Sequence, residues 1–346
     1  MNKLPENILI ARTDRIGDVV LSLPLAYIIK KHFPDSKISY LVRNYTKDLL
    51  QNHPFIDNTI ILSEKDGKPN FTENINKIKS MNFDTAFVVN PTFKIALILF
   101  LSGIKTRVGT GYRWYSFLFN KKIYEHRKYG EKHELEFNIN MLKMIGITNV
   151  DPKDVVFDIQ ISEKSRQNVN DILKKNGFNQ DIPTVIVHPG SGGSAIDLPI
   201  YKMKELTGLL AQELNINLVV TGTVAEKEIC DSVSQNISKI INLAGKINLS
   251  ELMALINRAD ILIANSTGPI HIASALGKFV VGFYPLIPSC SPNRWGPYTG
   301  KKLVFSPEIE CENCNRRKCE KINCMDSINI NEVFVKIKNV LVSTSN

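Results

Sequence analysis

The sequence predicts an α/β protein of two parallel-sheet lobes, and three observations carry that reading. At 346 residues the chain exceeds one ordinary domain of about 150 residues, so two lobes are expected. Short runs rich in β-branched and aromatic residues alternate with helix-length segments, the rhythm of parallel βαβ units. That rhythm starts afresh beyond a polar stretch at residues 179–183, which suits a linker.

Strands are expected at residues 7–12, 37–42, 59–62, 85–89 and 106–109. Between the last two lies the most apolar run, residues 95–101. Flanked by Lys94 and Lys105, it falls far short of the roughly 20 residues that span a bilayer, and reads as a buried helix. Ser162 can cap a helix reaching Lys175, with Gly177 just past its end. The lobes are therefore placed at residues 1–178 and 179–328. The second series of strands is expected at 184–188, 217–221, 240–243, 260–264 and 279–284. Residues 329–346 read as a C-terminal helix that packs through residues such as Ile330, Val333, Ile337 and Leu341.

Hydrophobic residues make up 43% and charged residues 22%, which excludes a disordered chain. With 43 Lys+Arg against 34 Asp+Glu, the formal charge of +9 favours anionic partners such as a phosphorylated glycan or an acidic membrane face. The alternative is merely a solvated face. Nucleic acid is not expected, because no basic recognition motif accompanies the charge. Residues 1–6 lack the features of a secretion signal, so a cytoplasmic protein with reduced thiols is the expectation.

Ligands of open α/β sheets bind beyond the carboxyl ends of strands, so the loops there are the candidates. The loop after residues 184–188 contains Gly190, Ser191, Gly192, Gly193 and Ser194. It can be a phosphate cradle or an ordinary turn. After residues 260–264 come Asn265, Ser266, Thr267, Gly268 and Pro269, with proline suited to the first helical position. The helix expected to follow, ended by Gly277, would direct free amides and its positive dipole end at an anion. His271 falls in its first turn, where a neutral ring could donate to a phosphate oxygen, or simply satisfy a carbonyl. In the first lobe, Asp18 follows Thr13, Asp14, Arg15, Ile16 and Gly17 at a helix start, where it is a cap or a catalytic carboxylate. Four cysteines, Cys311, Cys314, Cys319 and Cys324, suggest a structural element held by metal, disulfide or thiols, far along the chain from the phosphate loops.

Together these loops resemble glycosyltransferase family 9, the heptosyltransferases of bacterial lipopolysaccharide assembly. The resemblance spans nearly the whole chain. It rests on residues 8–12 with Gly17, Asp18, Leu23 and Pro24, on residues 187–194, on Val220, Thr221 and Gly222 with Glu226, and on residues 266–277. It implies a GT-B fold, two Rossmann-like lobes with a cleft between them, the donor on the second and the acceptor on the first. Asp18 would be the general base of a one-step inverting transfer, with Thr13, Arg15 and Gly17 on the acceptor side. The nucleotide would be held by Gly190, Ser191, Ser194, Gly222, Glu226, Ser266, Thr267, Gly268 and His271. The cysteine-rich stretch also looks like one that several members carry.

No Asp-x-Asp pair occurs in the sequence, so a reaction without metal or other cofactor is expected. The expected partners are a nucleotide-sugar donor, ADP-heptose by the resemblance, and an anionic glycolipid acceptor met at the inner face of the cytoplasmic membrane. Two departures bear on the donor: Ile196 stands where many members have lysine, and Ser266 where aspartate is common. The competing readings are a sugar-nucleotide epimerase of similar fold, which would turn over without acceptor, and a non-catalytic sugar-nucleotide-binding protein.

Overall fold

The computed structural model describes residues 4–309 and 314–344, which form two compact units. The first runs up to Arg127 and includes Lys132–Gln160. Its sheet consists of β1 Asn7–Ala11, β2 Lys37–Val42, β3 Asn58–Ile61, β4 Thr85–Val88, β5 Thr106–Thr110 and β6 Lys121–Ile123. The order is β3-β2-β1-β4-β5-β6, and every pairing is parallel. Helices α1 Ile16–Val20, α2 Pro24–His32, α3 Phe71–Ser80, α4 Phe93–Leu101 and α5 Glu134–Asn140 accompany it.

The second unit comprises Lys128–Glu131 and the chain from Ile161 onward. It begins with α6 Glu163–Lys175, and its sheet contains β7 Thr184–His188, β8 Asn217–Val220, β9 Ile240–Asn242, β10 Ile261–Asn265, β11 Phe279–Phe283 and β12 Lys302–Phe305. The order β9-β8-β7-β10-β11-β12 repeats that of the first unit and is again parallel. Both sheets thus have the doubly wound 3-2-1-4-5-6 arrangement of Rossmann-like domains. Helices α7 Ile200–Glu213, α8 Lys227–Ser234, α9 Leu249–Arg258, α10 Gly268–Ala275, α11 Pro292–Trp295, α12 Arg316–Ile322 and α13 Ile330–Thr344 complete it.

The central strands are apolar along their length because helices cover both faces of such a sheet. Ile261, Leu262, Ile263 and Ala264 of β10 are all at most 1% exposed. Helix α13 closes the same core with Ile330, Val333, Ile337 and Leu341, whereas Val335 faces outward.

Three differences from the sequence reading have physical causes. Helix α6 belongs to the second unit, not to the end of the first, since it buries Val169 and Leu173 and packs against α9. The compact units therefore divide at residues 160 and 161. Strands β6 and β12 were not expected; each is a short edge strand beginning with lysine. Helix α4 is buried only along its middle, at Ile95, Ala96, Ile98 and Leu99, and exposes Phe93, Phe100 and Leu101.

Candidate functional site

In the second unit, β8, β7 and β10 are neighbours, and the chain direction of the sheet order reverses between β7 and β10. Such a switch point opens a crevice beyond the carboxyl ends of the strands. The glycine-rich loop leaves β7 there. Gly192 and Gly193 have φ of 56° and 73°, backbone that residues with a Cβ adopt reluctantly. Ser194 closes the turn, its hydroxyl donating to the Ser191 carbonyl at 2.8 Å.

Two buried side chains fix this loop. Asn265, at the end of β10, donates from Nδ2 to the Pro189 carbonyl at 2.6 Å and accepts from the Leu198 amide at 2.9 Å. Glu226 accepts from the Gly192 amide at 3.1 Å with Oε1, and from the Thr223 amide and hydroxyl at 2.8 Å each with Oε2. Burial pushes the Glu226 carboxyl up, but hydrogen bonds from Thr223 and Gly192 and the neighbouring His188 outweigh it and hold the group below its usual range. His188, itself buried, is pushed down by desolvation against the pull of Glu226, and its Nδ1 lies 2.9 Å from Thr221 Oγ1. A Cβ on Gly190 would collide with the Glu226 carboxylate, and one on Gly222 with Cys230 Sγ. Both glycines make room for Glu226 and its helix.

Helix α10 starts one residue earlier than expected, with Gly268 first and Pro269 second. Thr267 takes the N-cap position without a hydrogen bond from its own side chain, so the first turn presents amides and the positive dipole end. Ser266 is buried, its amide donating to the Phe283 carbonyl at 3.1 Å. His271 lies in the first turn, 4% exposed, with its ring 6.2 Å from that of Trp295 in an edge-on arrangement. Gly277 ends the segment at φ 69°.

The cysteine segment is not remote in space. Arg316 of α12 reaches the Gly193 and Ala195 carbonyls at 3.4 Å each, and Cys290 Sγ lies 3.9 Å from the Ser194 carbonyl. Cys319 and Cys324 form a disulfide with Cα atoms 5.7 Å apart, in place of the reduced thiols expected. The left-handed turn at Asn323 brings them together. Cys314 packs in the same small cluster, and Cys311 lies outside the described residues. Among the described residues no three His, Cys, Asp or Glu side chains are grouped to hold a metal ion. Ile196 is half-buried and packs against the apolar core and this cluster.

Sequence reasoning missed Asp197. Burial pushes its carboxyl up to about 6, opposed by Ser191 and Arg316 and reinforced by Glu226. Only the three-dimensional surroundings reveal that environment; an aspartate two residues before proline carries no signal of its own.

In the first unit, Asp18 occupies the first turn of α1 as expected. Its carboxylate pairs with Arg12, the last residue expected of the first strand, whose side chain is 2% exposed. Arg12 Nε also lies 2.9 Å from Asp14 Oδ1, and Nη2 lies 3.3 Å from Glu134 Oε1. Burial opposes the Arg12 charge, but the three carboxylates hold the guanidinium protonated above its usual range. Asp14 is pushed well above the ordinary carboxylate range by burial, with Arg12 pulling it down and Asp18 pushing it further up. Two adjacent carboxylates thus share one buried cation. Arg127 also pairs with Glu134 and donates to Asn138 Oδ1 at 3.2 Å.

Beside this network lies a cavity of about 370 Å³ lined by Thr13, Asp14, Arg15, Tyr45, Asn90 and Lys94 among others. Arg43 and Glu64, also in its wall, pair at 2.7 Å. Thr13 and Arg15 therefore reach the cavity, whereas Gly17 is buried within α1 and its carbonyl accepts from the Leu21 amide.

The profile of glycosyltransferase family 9 (heptosyltransferase) matches residues 72–324. A Haemophilus influenzae protein to which glycosyltransferase activity is assigned but not established is 31% identical, over 87% of this chain and 89% of its own. A lipopolysaccharide core heptosyltransferase of the same organism is 25% identical, over 87% of this chain and 84% of its own. The solved structure of the Escherichia coli ADP-heptose lipopolysaccharide heptosyltransferase II superimposes with a TM-score of 0.80 at 20% identity, covering 99% of this chain and all of that one.

Proposed function

Because the chain belongs to glycosyltransferase family 9 and has the GT-B fold of that family, we propose that it transfers heptose from ADP-heptose, with inversion, onto the lipopolysaccharide core or a related anionic glycolipid. That the protein is a glycosyltransferase follows from the family; the donor, the acceptor and the residue roles are the proposal.

One observation carries it: the loops leaving β7, β8 and β10 meet at the switch point of the second unit, where Asn265 and Glu226 hold the glycine-rich loop. A diphosphate there would meet the amides of Gly268 and its neighbours, the hydroxyls of Ser191, Ser266 and Thr267, that of Ser194 once it turns from the Ser191 carbonyl, and the ring of His271, while the Gly192 amide stays on Glu226 and shapes the loop. Negative charge grows on the diphosphate as the anomeric bond breaks, and fixed amides, the helix dipole and the His271 ring stabilise it without reorganisation. Gly190 and Gly222 keep the loop backbone close, and Glu226 organises it next to the nucleoside. The name of the Escherichia coli relative, which pairs ADP-heptose with lipopolysaccharide, supports this donor and acceptor.

The acceptor is assigned to the cavity of the first unit, where Thr13, Arg15 and Lys94 suit an anionic sugar. Its hydroxyl oxygen attacks the anomeric carbon as the bond to the ADP oxygen breaks, and Asp18 takes the hydroxyl proton. Gly17 contributes packing at the helix start. The Arg12 pair holds Asp18 in one orientation, and Asp14 beside it can share the proton. The acceptor as a glycolipid places the enzyme at the inner face of the cytoplasmic membrane.

Mass spectrometry of purified protein with ADP-, UDP-, GDP- and dTDP-linked sugars and a lipopolysaccharide core acceptor tests the reading. Acceptor mass should rise by one heptose with the ADP-linked donor. Consumption or isomerisation of donor without acceptor would instead indicate an epimerase, and binding of ADP-heptose with no turnover a non-catalytic binder.

A further inference from the structure

Between Asp84 and Glu125 the chain holds no acidic residue, yet it holds Lys94, Lys105, Arg107, Arg113, Lys121 and Lys122. The same stretch leaves large apolar side chains in the open. Trp114 is 74% exposed, Phe117 67% and Tyr124 62%, with Phe100, Leu101 and Tyr112 each more than two-fifths exposed. Burying these side chains elsewhere in the unit would be favourable, so their exposure calls for a partner.

They lie together along one edge of the first unit. Strand β6 is the edge of the sheet and pairs with β5, while α4 packs on the turn Ser116–Leu118. The Phe93 ring sits 4.8 Å from that of Trp114, and the Tyr112 ring 5.5 Å from that of Tyr124. Arg107 places its guanidinium 5.1 Å over Phe100. The same edge segments expose Lys105, Arg113, Lys121 and Lys122, so cations and rings share this side of the unit.

We propose that this edge docks on an anionic bilayer surface, its rings entering the interfacial layer and its lysines and arginines meeting lipid phosphates. Trp and Tyr favour that layer because their rings are apolar and their tips polar, and long basic side chains lay their stems on apolar surface while keeping their charge at the headgroups. Each cation near such a surface adds attraction that salt screens. A second copy of the chain fits worse, because a two-fold contact would set this lysine- and arginine-rich edge against the same edge of the other copy. The inference rests on the reading that the acceptor is a glycolipid, and it identifies the surface that brings the enzyme to it.

Cosedimentation with vesicles of phosphatidylethanolamine containing phosphatidylglycerol, free of any glycolipid, tests it. The protein should bind these, and phosphatidylcholine vesicles about tenfold less or weaker still. The double variants Trp114→Ser/Phe117→Ser and Lys121→Glu/Lys122→Glu should each lose about tenfold in binding, while ADP binding and transfer to a deacylated acceptor stay at the wild-type level. Absence of vesicle binding by the wild type, binding indifferent to lipid charge, or variants that bind as well as the wild type would overturn the proposal. So would a solution dimer that Trp114→Ser/Phe117→Ser disperses. ADP binding and soluble transfer are read separately, so a failure of docking is distinct from a failure of the transferase reading.

Discussion

Asn265 and Pro189, 76 residues apart in sequence, are joined by a 2.6 Å hydrogen bond from the Asn265 carboxamide to the Pro189 carbonyl. The same side chain accepts from Leu198 on the far side of the glycine-rich loop, so one buried amide clamps both ends of it. Asn265→Ala leaves a buried carbonyl and a buried amide unpaired, which costs about 1–3 kcal/mol. Denaturant unfolding should register that loss, and calorimetry should show ADP binding weakened by about tenfold or more as the loop loosens. Unchanged ADP affinity would remove Asn265 from the support of the donor site.

Gly190→Ala tests the close approach of the loop to Glu226. The added methyl would meet a carboxylate already committed to Thr223 and Gly192, so the alanine must displace either the loop or the glutamate. Weakened ADP binding is expected, with the folded structure retained by circular dichroism. Wild-type affinity would mean that the loop adapts and that its present shape is not needed.

Asp197 predicts a pH dependence. Its carboxyl, raised by burial from 3.8 to about 6, binds a proton more tightly folded than unfolded. The resulting stabilisation is fully present below about pH 4 and is lost as pH rises through about 6. Asp197→Asn should therefore raise the Tm above pH 6 and leave it unchanged near pH 4. A uniform shift at both pH values would show that the side chain acts by packing and not by its charge.

Transfer should persist in excess EDTA, because the proposed leaving-group stabilisation comes from amides, hydroxyls, the α10 dipole and His271. His271→Ala should weaken ADP binding and slow transfer together. Activity abolished by EDTA and restored by Mg²⁺ would place a metal ion at the diphosphate and revise the account.

Much of the fold was legible because buried parallel strands are continuous apolar runs, as in Ile261, Leu262 and Ile263. Strands β6 and β12 escaped because edge strands tolerate lysine, and Lys121 and Lys302 mask the pattern. The loop after β7 and the turn before α10 announced themselves through glycine, proline and their place after strands. Nothing local announces that Arg12 meets Glu134, since their pairing spans 122 residues. The environments of Asp14 and Asp197 likewise arise from burial, which sequence spacing does not encode. Distance along the chain misled for the cysteine segment, whose Arg316 lies on the glycine-rich loop.

The most direct measurement is the transfer rate of Asp18→Asn alongside its ADP affinity. Loss of a general base costs about 10²- to 10⁴-fold in rate, and the isosteric amide keeps the shape of the α1 turn beside Arg12. The account predicts that transfer collapses by such a factor while ADP binds as to the wild type. Transfer near the wild-type rate, or an equal loss of ADP binding, would contradict it.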